Sequence, residues 1–157
     1  MSATDVPTGR ALHLVDLENV LGDPCAVGPC VAETYEEVLA RGLHREGDLV
    51  VVAVNPAMAR QFAFAPHTSC QLFVRRGRDG ADLALLGWAS PELIARRFDR
   101  LVVASGDGIF AGIVRALREF GLRVEVLYGN GAVSGHLRRN GVPLVRVPVA
   151  DDHDLAA

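Results

Sequence analysis

Leu101-Val102-Val103-Ala104-Ser105-Gly106-Asp107-Gly108-Ile109-Phe110 runs from an unbroken apolar segment into a tight polar turn and then into an amphipathic stretch. That order predicts a buried strand, a turn and a helix start. In open α/β sheets, ligand chemistry sits just beyond the carboxyl ends of the strands, and Asp107 falls at such a position. Two further acids, Asp16 and Asp82, also sit at element boundaries. The functional reading turns on whether the three meet.

The pattern around this stretch repeats in kind. Ala11 to Val15 is a short apolar strand ending at Asp16, and a loop rich in Gly, Pro and Cys spans Gly22 to Pro29. Helical spacing of Val31, Tyr35, Val38 and Leu39 predicts a helix from Val31 to Leu43. Asp48 to Val54 is a second strand, broken by Asn55-Pro56, after which a short helix reaches Phe64. Cys70 to Val74 reads as a third strand, at a sheet edge. Helical segments follow over Ala81 to Ala89 and Glu92 to Phe98. Leu101 to Ala104 is the fourth strand, and a helix over Ile109 to Phe120 stops at Gly121. Leu122 to Leu127, a short helix over Ala132 to Arg139, and a last strand over Pro143 to Val147 complete the series. Strands alternating with helices predict an α/β three-layer sandwich around a central, mostly parallel sheet of five to six strands. Residues 1–10 read as a flexible arm, 11–148 as the single domain and 149–157 as an acidic flexible tail.

Composition narrows the class. The chain's 157 residues are enough for one domain with a sizeable core. No apolar run approaches the ~18 residues of a membrane helix, and the amino terminus lacks the basic and apolar regions of a signal peptide. A cytoplasmic protein with no membrane partner is expected. The net charge of −3 gives no global attraction to nucleic acid. All 16 basic residues are Arg, which suits phosphate but equally reflects a GC-rich coding bias. Cys25, Cys30 and Cys70 make neither a disulfide framework nor, without a second pair, a tetrahedral zinc site. His13, inside a strand rather than at its end, reads as a packed core histidine.

Asp16 and Asp107 follow strands whose carboxyl ends share one rim if both are parallel and central. Asp82 opens the helix after the basic loop Arg75-Arg76-Gly77-Arg78-Asp79-Gly80 and would approach the same rim. Three clustered carboxylates repel one another unless a hard divalent cation lies among them, and Mg²⁺ or Mn²⁺ takes such oxygen ligands. Each acid has a structural reading as well. Asp107 is a good helix N-cap, Asp82 favours a helix N-terminus, and Asp16 can begin a loop. Taken together at matched boundaries, they point to a site. Arg75, Arg76 and Arg78 beside it, with Arg138 and Arg139 in the later short helix, either bind RNA phosphates or form a solvated surface. Phe62, Phe64, Phe73, Trp88 and Phe110 read as core rather than as base-stacking platforms.

These segments resemble a known family. Leu14-Val15-Asp16-Leu17-Glu18-Asn19 is similar to the opening D-x-x-N motif of NYN domains, a branch of the PIN-like nucleases. Gly80-Ala81-Asp82-Leu83-Ala84-Leu85 resembles their G-x-D-x-x-L segment, and Ser105 to Phe110 their S-G-D-x-D-F motif. The resemblance spans residues 11–148 and implies a PIN-like fold. It implies a metal-dependent ribonuclease in which water attacks the phosphodiester. Asp16, Asp82 and Asp107 would form the acidic metal site, Asn19 would orient it, and Ser105 would support the turn or touch phosphate. One position departs: the second acid of S-G-D-x-D-F is Ile109 here. Glu18 or Asp79 would have to compensate, although Asp79 reads equally as a helix cap. A degenerate domain that binds RNA or a protein partner without cleaving is the alternative. A small-molecule site rests only on Gly106 and Gly108, with no dinucleotide-type glycine motif behind them. Self-association into a homo-oligomer is left open by the sequence.

Overall fold

The protein is described by a computed structural model covering residues 8–23, 29–76, 80–88 and 90–149, with only the backbone of residues 81–83. Its strands are β1 (Ala11–Asp16), β2 (Leu49–Val54), β3 (Gln71–Val74), β4 (Arg100–Ala104), β5 (Arg123–Tyr128) and β6 (Leu144–Arg146). They form one six-stranded sheet in the order β3-β2-β1-β4-β5-β6, with every ladder parallel. The near-continuous apolar composition of β1, β2 and β4 follows from this position, since a central parallel strand is covered on both faces. Every residue of β1 and of β4 is buried.

Helices α1 (Leu17–Leu21), α2 (Pro29–Arg41) and α3 (Pro56–Phe64) cover one face. There Tyr35, Met58 and Phe62 pack on Val15, Val52 and Ala104. Helices α4 (Gly80–Leu86), α5 (Pro91–Arg97), α6 (Ala111–Glu119) and α7 (Gly135–Arg138) cover the other. On that side Leu85, Ile94, Phe110, Val114 and Leu117 pack on Leu12, Leu14, Leu101 and Val103. The expected three-layer α/β sandwich is therefore what forms. No described helix is long and apolar enough to cross a membrane.

Several boundaries differ from the sequence reading for local reasons. Helix α2 ends at Arg41 rather than Leu43, and Leu43 takes a left-handed conformation with φ 51°. The neighbouring Gly42 lies so close to the His13 ring that an added Cβ would sit 3.2 Å from it. The helix expected from Ile109 begins instead as a 3-10 turn, Gly108–Phe110, before α6. Phe64 was expected in the core and is 86% exposed at the end of α3, whereas Phe62 and Phe110 are fully buried. Cys25, Gly77, Arg78 and Asp79, and most of the arm and tail expectations, lie outside the described residues.

Candidate nucleic-acid-processing site

The sheet reverses its order between β1 and β4. Strands β2 and β3 extend one way from β1, and β5 and β6 extend the other way from β4. Helices leaving the carboxyl ends of β1 and β4 consequently diverge to opposite faces, and ligands bind in the crevice between such ends. Register pairs Val15 with Ala104, so Asp16 and Ser105 are the next residues out on the two adjacent strands. Dinucleotide-binding folds share this strand order, but they follow β1 with a glycine-rich phosphate turn. Here β1 is followed by Leu17-Glu18-Asn19, which supplies acids and an amide instead.

Asp16 ends β1 and caps α1 at once. Its Oδ1 accepts the Asn19 N–H at 3.3 Å and its Oδ2 accepts the Ser105 hydroxyl at 3.1 Å. That same hydroxyl oxygen accepts the Asp107 N–H at 3.1 Å. Asn19 closes the link from the other side, its Oδ1 accepting the Gly106 N–H at 2.7 Å. Two chain corners 89 residues apart are thus joined through one hydroxyl and one amide. Asp16 is buried and Ser105 fully so. Of the two roles implied for Ser105, support of the turn is the one its contacts serve, since a hydroxyl with no exposed surface is closed to direct phosphate contact. Gly106 is required here, because a Cβ on it would lie 2.2 Å from the Ala132 carbonyl oxygen.

Asp107 is half-buried. Its Oδ1 accepts the Ile109 N–H at 3.0 Å, capping the 3-10 turn, and its Oδ2 has no partner among the described residues. The capping role expected of this residue and a free ligand oxygen coexist in one carboxylate. Glu18 reaches the end of β2, where its Oε1 accepts the Asn55 N–H at 2.6 Å. Burial pushes the Glu18 carboxyl above its ordinary value; the Asn55 N–H opposes the shift and the nearby Asp16 charge adds to it. Among the described residues, none of Asp16, Glu18 and Asp107 forms an ion pair. Ile109 is exposed at 36%, an apolar side chain at the position of the motif's second acid.

Asp82 lies in the first turn of α4, whose backbone packs against β1, β2, β3 and the 3-10 turn capped by Asp107. Its side chain is outside the description. Among the described residues, no three His, Cys, Asp or Glu side chains are grouped to hold a metal ion. Magnesium, however, is commonly held by one or two carboxylates with waters and substrate phosphate completing the shell. Asp16 and Asp107 are hard oxygen donors with no ion-pair partner among the described residues, and such donors suit that ion. Arg75 and Arg76 follow β3, two strands from β1 on the carboxyl rim, and both are exposed, as is Arg138 on α7.

A family model, the NYN domain, matches residues 14–142, from just before Asp16 to beyond Arg138. The chain belongs to the NYN domain family. This NYN domain accordingly has a nuclease-related, PIN-like fold, as its segments Leu14–Asn19, Gly80–Leu85 and Ser105–Phe110 suggested. Its fold is similar to the crystal structure of a Vibrio parahaemolyticus protein of unknown function. The TM-score is 0.54 at 19% identity, covering 91% of this chain and 93% of the other. No curated protein matches.

Proposed function

We propose that this NYN domain is a metal-dependent ribonuclease that hydrolyses RNA phosphodiesters at the carboxyl rim of the sheet, between β1 and β4. The observation that carries the reading is the Asp16–Ser105–Asp107 linkage at the point where strand order reverses. Asp16, Asp107 and Asp82 would hold Mg²⁺ or Mn²⁺, which when bound supplies charge neutralisation at the phosphate and a lowered water pKa. Asp107 would ligate through Oδ2 while Oδ1 keeps the cap. Ser105 and Asn19 hold the two corners in register, so that the carboxylates do not have to reorganise when substrate binds. Exposed Arg75, Arg76 and Arg138 attract the polyanion. Hydrolysis adds water across one P–O bond, with hydroxide going to phosphorus and a proton to the departing oxygen.

Asp107→Asn keeps an oxygen for the cap and removes the charge, so the expected result is an unchanged melting temperature with Mn²⁺-dependent cleavage of labelled single-stranded RNA abolished. Cleavage at the wild-type rate would remove Asp107 from the chemistry. Calorimetric Mn²⁺ titration is expected to show saturable binding to the wild type and none to Asp16→Asn.

Ile109 favours a second reading, a domain that binds RNA or a protein partner without cutting. Ile109→Asp separates the two. A gain of metal-dependent cleavage identifies a weakened metal site, whereas no cleavage in either protein favours binding alone.

A further inference from the structure

A groove of about 530 Å³ runs between the 3-10 turn and α6 on one side and α7 on the other. It begins at Gly108, the residue next to Asp107, and is lined further by Gly112, Arg115, His136, Arg139 and Asn140. Among the described residues, no Asp or Glu lines it. We propose that this groove binds the phosphate backbone of a single RNA strand leading away from Asp107, with Arg115 and Arg139 as the phosphate ligands. The proposal rests on reading the chain as an RNA-acting NYN domain and adds the path of the strand.

The chemistry of the lining supports a polyanion. Arg115 and Arg139 are exposed, and neither forms an ion pair with an acid among the described residues. A guanidinium on α6 and another at the C-cap of α7, neither matched by a carboxylate among the described residues, present planar forks suited to phosphate oxygens. Arg139 also donates from a terminal nitrogen to His136 Nδ1 at 2.9 Å. Because guanidinium can only donate, Nδ1 is the acceptor, and the imidazole proton resides on Nε2. His136 thereby offers a further N–H donor from its other ring nitrogen. A Cβ on Gly108 would lie 2.6 Å from the Ser134 hydroxyl oxygen, so glycine lets the turn pack directly against the start of α7, while Gly112 has open space where a side chain would be. Gly112 thereby leaves a bare stretch of the groove along which a sugar-phosphate chain can pass.

The walls are fixed in place. Asn140 donates from Nδ2 to the Ala111 carbonyl at 3.4 Å and to the His136 carbonyl at 3.1 Å, tying α7 to the start of α6. Arg118 donates to the Asn140 carbonyl. A groove whose sides are already bonded to each other loses little freedom when a ligand enters.

The test measures anisotropy of a fluorescein-labelled, mixed-sequence 12-nucleotide single-stranded RNA in EDTA over a salt series. Wild type is compared with Arg115→Gln/Arg139→Gln and with Arg41→Gln/Arg60→Gln, which removes equal charge from the opposite layer. Arg115→Gln alone guards against an effect of losing the Arg139–His136 bond, and melting temperatures check each fold. The groove variant is expected to bind on the order of tenfold more weakly, with the log–log salt slope reduced by about 1.4, or about 0.7 per lost phosphate contact. The single variant is expected to show about half that slope change, and the opposite-layer variant none. Equal losses in both double variants, an unchanged groove variant, or no wild-type binding would each overturn the proposal. Cleavage by Asp107→Asn is scored separately. Lost cleavage with unchanged groove binding sinks the groove alone; groove-dependent binding by a wild type that never cleaves sinks the nuclease reading alone.

Discussion

Ser105 shows how much one small side chain can organise. Its hydroxyl donates to Asp16 and accepts from the Asp107 backbone in a place without solvent. Ser105→Ala should leave a buried carboxylate oxygen and a half-buried N–H unsatisfied, lowering stability by about 1–3 kcal/mol. The urea midpoint reads that loss, and an unchanged midpoint would mean the linkage carries no net energy. The apolar runs before Asp16 and Asp107 placed those acids at strand ends, whereas Asn19 and Ser105 entered through the resemblance to the family's motifs. Sequence did not reveal that the Ser105 hydroxyl serves both acids, since no periodicity encodes a contact between strands joined only by the fold. Phe64 was misread for the opposite reason: its composition suits a core, but its place in the last turn of α3 turns it outward.

At the scale of elements, the turn after β4 is the part with least room to vary. Gly106 abuts the Ala132 carbonyl, and its own carbonyl accepts the Ser134 N–H at 2.8 Å. Gly106→Ala therefore has to displace backbone on one side or the other. The expected loss is about 1–3 kcal/mol by overpacking, with weaker Mn²⁺ binding because Asp107 moves with the turn. Chemical denaturation and calorimetry check the two parts. Asn55 begins α3 by accepting the Met58 N–H at 2.8 Å. Its own N–H holds Glu18. Helix existence was legible from apolar spacing and stop signals except at α1, whose five residues are too few to show a period. The start of α6 was not, because Asp107 caps two residues ahead at Ile109 and tightens the first turn into 3-10 geometry.

For the whole molecule, the rim opposite the acids is closed by charge. Asp48 accepts from the Ala11 and Arg45 N–H groups and from His13 Nε2, with Arg100 at 3.6 Å. Burial lowers the His13 pKa to about 4, although its bond to Asp48 resists the shift. The unfolded chain then takes up this proton first, so stability is full above the ordinary value near 6.5 and falls as pH drops toward about 4. That window is worth up to about 3 kcal/mol. Glu18 and Glu125, raised chiefly by burial, act in the reverse sense because unfolding lets them ionise. His13→Gln should flatten the wild-type dependence of the urea midpoint between pH 6.5 and 4; equal slopes in both proteins would refute the assignment. The parallel sheet was legible because buried strands read as apolar runs. The α6–α7 groove was not, since Arg115 and Arg139 become neighbours only when α7 docks on α6. Arg10, just before β1, is clasped at that charged rim by Asp99 and the Gly47 carbonyl. Asp16 lies at the far end of the six-residue β1, a span of about 20 Å. An affinity handle or reporter joined ahead of Gly9 thus starts from the back of the molecule, clear of incoming substrate. The same handle joined after Val149 starts from the front, because β6 and Val147 exit beside Tyr128 on the carboxyl side, and would compete with the strand it was meant to report.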